Sequence, residues 1–415
     1  MIFYRVRLDR RWSPEQRAVA GADSLRRGAH RRRTYDYRQD NLLHSTLHAP
    51  SILELYRVEG KSRYNNPQFP VSSKDSVYSG YRIPTLDGWR CLAIVAVLVS
   101  HYQMSFLGGQ YHGYAWMNIS QHGVQLFFVL SGYLITSQLL AEERIHLGRF
   151  YVRRFFRLMP AAWAFLVFLG LLTAFTPMKV LGKDVWACLF FYRNYVPENL
   201  ANTCTEHFWS LSLEEQFYLA WPPLLALLGR KRAFVLVVVA VGAISLRRLL
   251  LWSSLSQGFV FQHTEVRADS LLVGCLLAYL LRQEKVRAWF TRNGVWLFFA
   301  CLPPLIWDMY TYHGLIPLHE TVLMAAVLAA TSLNPGMFFS RLLDQEHVRY
   351  TGVISYGIYV WQGVFLRPAW GVWGPLLLPA AFLASRILIE QPSINLGRRL
   401  IARMRPSAEL SPKGV

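Results

Sequence analysis

From Leu86 onward, apolar runs of membrane length alternate with short polar breaks. The runs fall at roughly Trp89–Leu107, His122–Leu140, Ala161–Thr176, Leu211–Leu228, Ala233–Trp252, Ala268–Leu281, Gly294–Tyr310, His319–Leu333, Gly352–Leu366 and Pro375–Ile389. A bilayer core takes a helix of roughly 20 apolar residues. The pattern therefore predicts an all-α fold, a polytopic membrane helix bundle with about ten transmembrane helices. Cys188–Tyr195 is an aromatic patch too short to span, expected to lie at the interface or to re-enter. Arg247 and Arg248 interrupt the fifth run, so that helix is expected to end early or tilt. Residues 1–83 contain no membrane-length run and no apolar h-region of a secretory signal. They read as a basic, disordered N-terminal tail, followed by a membrane domain over 84–400 and a short tail over 401–415.

Composition supports this division. The chain has 415 residues, is 53% hydrophobic and carries a net charge of +19. Such apolarity beside such charge suits a membrane protein whose Lys and Arg collect on one side. It argues against nucleic-acid binding, because no nucleic-acid motif accompanies the charge. Arg144, Arg149, Arg153, Arg154 and Arg157 lie between the second and third runs. Arg230, Lys231 and Arg232 lie between the fourth and fifth, and Arg398, Arg399, Arg403 and Arg405 follow the tenth. The opposite connections 108–121 and 311–318 hold no Lys or Arg. Positive-inside logic places both termini in the cytoplasm and the chain, multi-pass, in the plasma (inner) membrane. Cys188 and Cys204 share an outer segment and either pair or remain free thiols; the cysteines show no metal spacing.

Chemistry concentrates in a few stretches. Arg90 and His101 stand eleven positions apart on the first run, about 16 Å along a helix and nearly on one face, with Asp87 close to that face. Ionisable groups inside a membrane helix are expensive to bury, so they point to function; the bland alternative is a snorkelling arginine and a packing histidine. On the second run Ser131 and Gly132 suit close helix packing, and Gln125 can hydrogen-bond a substrate. Arg154 and Arg157 share a helical face beside Arg153, and guanidinium forks suit phosphates; ordinary positive-inside charge would look the same. Glu214 and Glu215 are adjacent carboxylates that, if buried, must be protonated or paired. Alternatively Ser212 caps the helix, with both glutamates at its favourable N-terminus.

The order of these motifs resembles the acyltransferase 3 family of integral-membrane acyltransferases. The resemblance rests on Leu86-Asp87-Gly88-Trp89-Arg90 through His101, Phe127-Phe128-Val129-Leu130-Ser131-Gly132, and Arg153-Arg154-Phe155-Phe156-Arg157. It continues through Trp209-Ser210-Leu211-Ser212-Leu213-Glu214-Glu215-Gln216-Phe217-Tyr218 and Arg267–Gly274. Ile354–Trp361 and Ile389-Glu390-Gln391-Pro392 complete it, so it covers about 86–400. Cys91 stands where the family usually has Gly, Gln125 where Asp is common, and Gln362 where His often follows Trp361. No catalytic role is expected of Gln362. No soluble esterase-like domain is expected after the membrane core.

The resemblance implies transfer of an acyl group, often acetyl, from cytoplasmic acyl-CoA to a hydroxyl of a carbohydrate or related acceptor. The acyl-CoA is a donor substrate; no bound cofactor and no metal are expected. Arg153, Arg154 and Arg157 would hold donor phosphates. His101 would act as general base, with Arg90 and Asp87 fixing the first helix and Glu215 orienting His101 or the acceptor. Gln125, Trp209, Ser210, Glu214 and Gln216 would meet the acceptor. The competing class is a transporter or flippase for an acylated lipid or glycan, but no internal repeat is visible.

Overall fold

The computed structural model describes residues 83–106, 119–176, 180, 182–197, 204–251, 262–311 and 318–404. The basic N-terminal segment, most of the 108–121 connection and the end of the C-terminal tail lie outside the described residues. Among the described residues there is no strand. The long helices are α1 (Pro84–Phe106), α2 (Ile119–Ala141), α3 (Leu147–Phe175), α4 (Phe208–Leu250) and α5 (Asp269–Arg282). They continue with α6 (Glu284–Thr311), α7 (Leu318–Leu333), α8 (Glu346–Phe365) and α9 (Trp373–Arg403), whose residues Arg386–Glu390 form a π-helical turn.

Each apolar run lies within or largely within one of these helices. Four helices are long and apolar enough to cross a membrane by length and composition: α2, α3, α4 and α9. The Leu318–Leu333 helix is apolar but shorter. The structure thus bears out the all-helical fold, and four spans rather than ten meet this measure among the described residues. Helix α1 carries Asp87, Arg90 and His101, and α8 carries several hydroxyls and Gln362. These polar side chains make the two helices less apolar than simple spans.

Local sequence explains the helix ends and bends. Pro84 opens α1, where its missing N–H costs nothing, and Asp87 in the first turn complements the positive helix end. Two expected runs merge in α4, which changes direction at Gly229, where φ is 72°. Only glycine takes that backbone readily, and the basic triplet Arg230–Arg232 follows it. Arg247 and Arg248 do not end the helix early: it runs to Leu250, because Arg248 is buried against Asp269.

Helix α2 sits at the centre, packed between α1 and α5, and α1 in turn packs on α8. Helices α3 and α8 contact each other, as do α6 and α7. Close approach depends on small residues. A Cβ on Gly132 would collide with the Leu271 carbonyl, and one on Gly274 with the Val129 carbonyl, so α2 and α5 cross backbone to backbone. Polar side chains tie the other pairs: Trp89 Nε1 donates to Thr331 Oγ1 at 2.9 Å, and Trp221 Nε1 to Thr136 Oγ1 at 2.8 Å. The Tyr356 hydroxyl donates to the Leu158 carbonyl at 2.7 Å. The second half of α4 instead exposes Val235, Val238, Val239, Leu246 and Leu249, as a lipid-facing surface does.

Gly274→Val should lower stability by about 1–3 kcal/mol through overpacking, because the obstacle is a backbone carbonyl that cannot rotate away. Gly242→Ala, in open space inside α4, should instead raise it by about 0.5–1 kcal/mol. Thermal unfolding of both variants in detergent checks the contrast; equal midpoints would contradict it.

Candidate active site

A cavity opens between α1, α2, α3, α4 and α8. Its polar lining is three arginines, Arg90, Arg154 and Arg157, with Glu214, Ser131, Ser210, Ser355 and the tyrosines 218, 356 and 359. Phe127, Phe128, Val124, Leu158, Leu211 and Val353 supply apolar wall. Residues 210, 214 and 218 are four apart, one stripe of α4, which is why all three face inward. Glu215 lies one residue off that stripe and does not line the cavity.

Arg90, Arg154 and Glu214 are each held by a neighbour. Arg90 pairs with buried Asp87 at 3.1 Å. The guanidinium of Arg154 lies over the Tyr218 ring, 3.5 Å from its centroid, a cation–π contact. Glu214 accepts hydrogen bonds from Ser131 at 2.8 Å and from the Tyr218 hydroxyl at 3.2 Å. Arg157 is exposed. Three guanidinium groups against the carboxylates of Glu214 and, behind Arg90, Asp87 leave an excess of positive charge that suits an anion. Further along, the Ser210 and Tyr359 hydroxyls are 2.6 Å apart, and both bond the His207 carbonyl.

His101 is half-buried and lies past the cavity lining. Its Nδ1 is 2.5 Å from Gln362 Oε1. Gln362 stands one turn of α8, about 4.5 Å, beyond Tyr359. The partner of His101 is therefore Gln362 and not Glu215, because Glu215 occupies a different face of α4.

The structure thus brings Arg90, Arg154, Arg157, Ser210 and Glu214 together at one cavity. It sets the other expected residues elsewhere. Arg153 pairs with Glu142 at 3.4 Å, away from the lining. Gln125 is fully buried and donates to Thr321. Trp209 meets Phe128 edge-on at 6.0 Å, with Arg267 5.8 Å from its ring. Gln216 donates to the Phe191 carbonyl at 2.7 Å and to Asn194 at 3.0 Å, and accepts from Thr264. Asp87 reaches the site through Arg90. Ser212 does not cap α4: the helix begins at Phe208, and Ser212 Oγ accepts the Arg193 N–H at 3.2 Å. Cys188 and Cys204 are free thiols.

Comparison with known proteins places the chain in a family. The acyltransferase domain family, acyltransferase 3, matches residues 83–389. The chain belongs to the acyltransferase 3 family. It is similar to the peptidoglycan O-acetyltransferase OatA of Listeria monocytogenes, 28% identical over 324 residues, covering 69% of this chain and 49% of that protein. It is also similar to the O-acetyltransferase OatA of Staphylococcus aureus, 28% identical over 320 residues, covering 69% and 51%. The chain spans about half the length of these curated relatives. No solved structure matches it significantly.

Not every acyltransferase 3 block lines the cavity. In the Arg267–Gly274 block, Asp269 accepts Arg248 at 2.7 Å, fully buried, and Gly274 makes the α2–α5 crossing. Ser131 and Tyr218 line the cavity although their motifs had suggested packing or nothing. Tyr356 and Tyr359, at helical spacing in the Ile354–Trp361 block, carried the one signal that could have found them.

Asp269→Ala should cost about 3–5 kcal/mol, because it strands the buried Arg248 charge. Adding Arg248→Ala should recover part of that loss. A double-mutant cycle on thermal stability checks this, and strict additivity would contradict it.

Proposed function

We propose that this chain is an integral-membrane O-acyltransferase that moves an acyl group, in the simplest case acetyl, from acyl-CoA to a carbohydrate hydroxyl. The observation that carries the reading is the cavity with Arg90, Arg154 and Arg157 at one end and, past Tyr359, the half-buried His101 against Gln362. The names of the OatA relatives support acetyl as the group, and the Listeria relative supports a glycan acceptor. Positive-inside charge supports a bundle of about ten crossings in the plasma (inner) membrane, with both termini and the arginine end in the cytoplasm.

In this reading the guanidinium groups hold the donor's phosphates, and its acyl-pantetheine arm extends through the cavity toward Ser210 and Tyr359. His101 Nε2 accepts the proton of the acceptor hydroxyl as its oxygen attacks the thioester carbonyl. The carbon–sulfur bond breaks, and the leaving thiolate takes the proton from the imidazolium. The products are the ester and CoA thiol, with the imidazole restored.

His101→Ala should lose about 10²–10⁴ in transfer rate while still inserting and folding. His101→Gln keeps a hydrogen bond but cannot take the proton, so it should be nearly as inactive. Acyl transfer per inserted molecule, read with labelled acetyl-CoA and envelope glycans by mass spectrometry, decides it. Near-wild-type transfer by the Gln variant would remove the base assignment, and donor translocation without any acylated glycan would favour a transporter.

Arg154→Ala and Arg157→Ala should each raise the donor KM roughly tenfold or more, from a lost charge-assisted contact of about 1.5–3 kcal/mol. Arg153→Ala, whose side chain is engaged by Glu142, should raise it far less. Equal donor KM values across all three variants would return these arginines to simple orientation charge.

A further inference from the structure

We propose that Gln362 is a positioning residue for His101: its side-chain oxygen holds the imidazole in the tautomer that leaves Nε2 bare and facing the reaction. The inference rests on the proposed role of His101 as base, and goes beyond it by naming what prepares that base.

The geometry fixes the proton. Gln362 Oε1 lies 2.5 Å from His101 Nδ1. An amide oxygen only accepts hydrogen bonds, so Nδ1 must carry the hydrogen. In a neutral ring the other nitrogen, Nε2, then has its lone pair free. Without such a partner the ring could place its proton on Nε2 and would have no lone pair there.

The placement of Gln362 is itself determined by packing. Its side chain is fully buried. Trp361 beside it packs against Phe165 at 5.8 Å and Phe168 at 5.3 Å between ring centroids. On its other side, Gly363 lies so close to the His207 ring that a Cβ there would collide with it. Helix α1 is pinned to α8 on both sides of His101. Toward the arginine end, a Cβ on Gly352 would collide with the Asp87 carbonyl, which marks a backbone-to-backbone approach. One turn past His101, the Ser105 hydroxyl donates to the Leu366 carbonyl at 2.7 Å. The histidine and the glutamine therefore meet in a fixed register.

A glutamine kept for packing alone would have both ends of its amide bonded. Here Oε1 is given to His101, and Nε2 is buried with no partner. The sequence also has a neutral amide where a carboxylate would do more to stabilise the imidazolium. A neutral partner sets the tautomer without holding the proton once it has been taken.

The test titrates His101 without needing the acceptor. The full chain in lipid nanodiscs is treated with diethyl pyrocarbonate across pH, and modification of the His101 peptide is measured by mass spectrometry. The reagent reads the unprotonated ring. Glu206 and Arg367 are the charged groups that act on His101, together with the neighbouring His207, and all three stay in place in each variant. Gln362→Glu puts a negative charge at Nδ1, which favours the protonated ring and should move the midpoint to higher pH by about one unit or more. Gln362→Leu removes the acceptor and should move it to lower pH. Opposite shifts support the proposal, and wild-type midpoints in both variants would overturn it. If one variant fails to fold, the other still decides. Loss of transfer in His101→Ala with unshifted Gln362 variants would sink this proposal and leave the base assignment standing. Shifted midpoints with an active His101→Ala would do the reverse.

Discussion

The close packing of α1 against α8 is the constraint on which the rest depends. Helix α1 brings a carboxylate, a guanidinium and an imidazole into a bundle whose surroundings are apolar. In such a medium each group must find a partner inside the protein. Asp87 and Arg90 satisfy each other, and α8 supplies the partner of His101. Gly352 allows the two backbones to approach at Asp87, so the pairing of His101 with Gln362 follows from the register set there. A bulkier residue at 352 would push apart the two helices that form one wall of the cavity.

The polar residues of the bundle divide into two systems. One faces the cavity: three arginines, Glu214 and a run of hydroxyls ending at Ser210 and Tyr359. The other holds helices together and meets no open space. His122 and Glu320 lie 2.6 Å apart, Arg248 grips Asp269, and Gln216 secures the segment around Phe191 and Asn194. The distinction matters because both systems look alike as text. A buried charge in a membrane bundle marks a functional site only when it also borders space that a substrate can enter.

That is why the sequence revealed part of the site and not the rest. Apolar periodicity was enough to place the helices, and the eleven-residue spacing was enough to put Arg90 and His101 near one face of α1. The shared face of Arg154 and Arg157 also follows from helical geometry, whereas Arg153, expected to hold the donor beside them, pairs with Glu142 instead. Three things did not follow. The stripe at 210, 214 and 218 selects Glu214 over Glu215, and adjacent carboxylates cannot be ranked before the helix phase is known. Gln125 sits among motif residues yet faces Thr321, because α2 is buried on several sides and presents different faces to α1, α5 and α7. Gln362 was set aside because it departs from the family's residue, while its importance comes from a contact 261 positions away in the chain.

In the function proposed above, one cavity receives a nucleotide-bearing acyl donor at its arginine end and presents the acyl carbon toward His101. A cryo-EM map of the full chain in nanodiscs with coenzyme A bound tests it most directly. The account predicts phosphate density among Arg90, Arg154 and Arg157, with the pantetheine arm passing Phe127 and Tyr359 toward His101. Phosphates seated at Arg153 or on the outer surface, with the cavity empty or filled by a lipid chain, would contradict it.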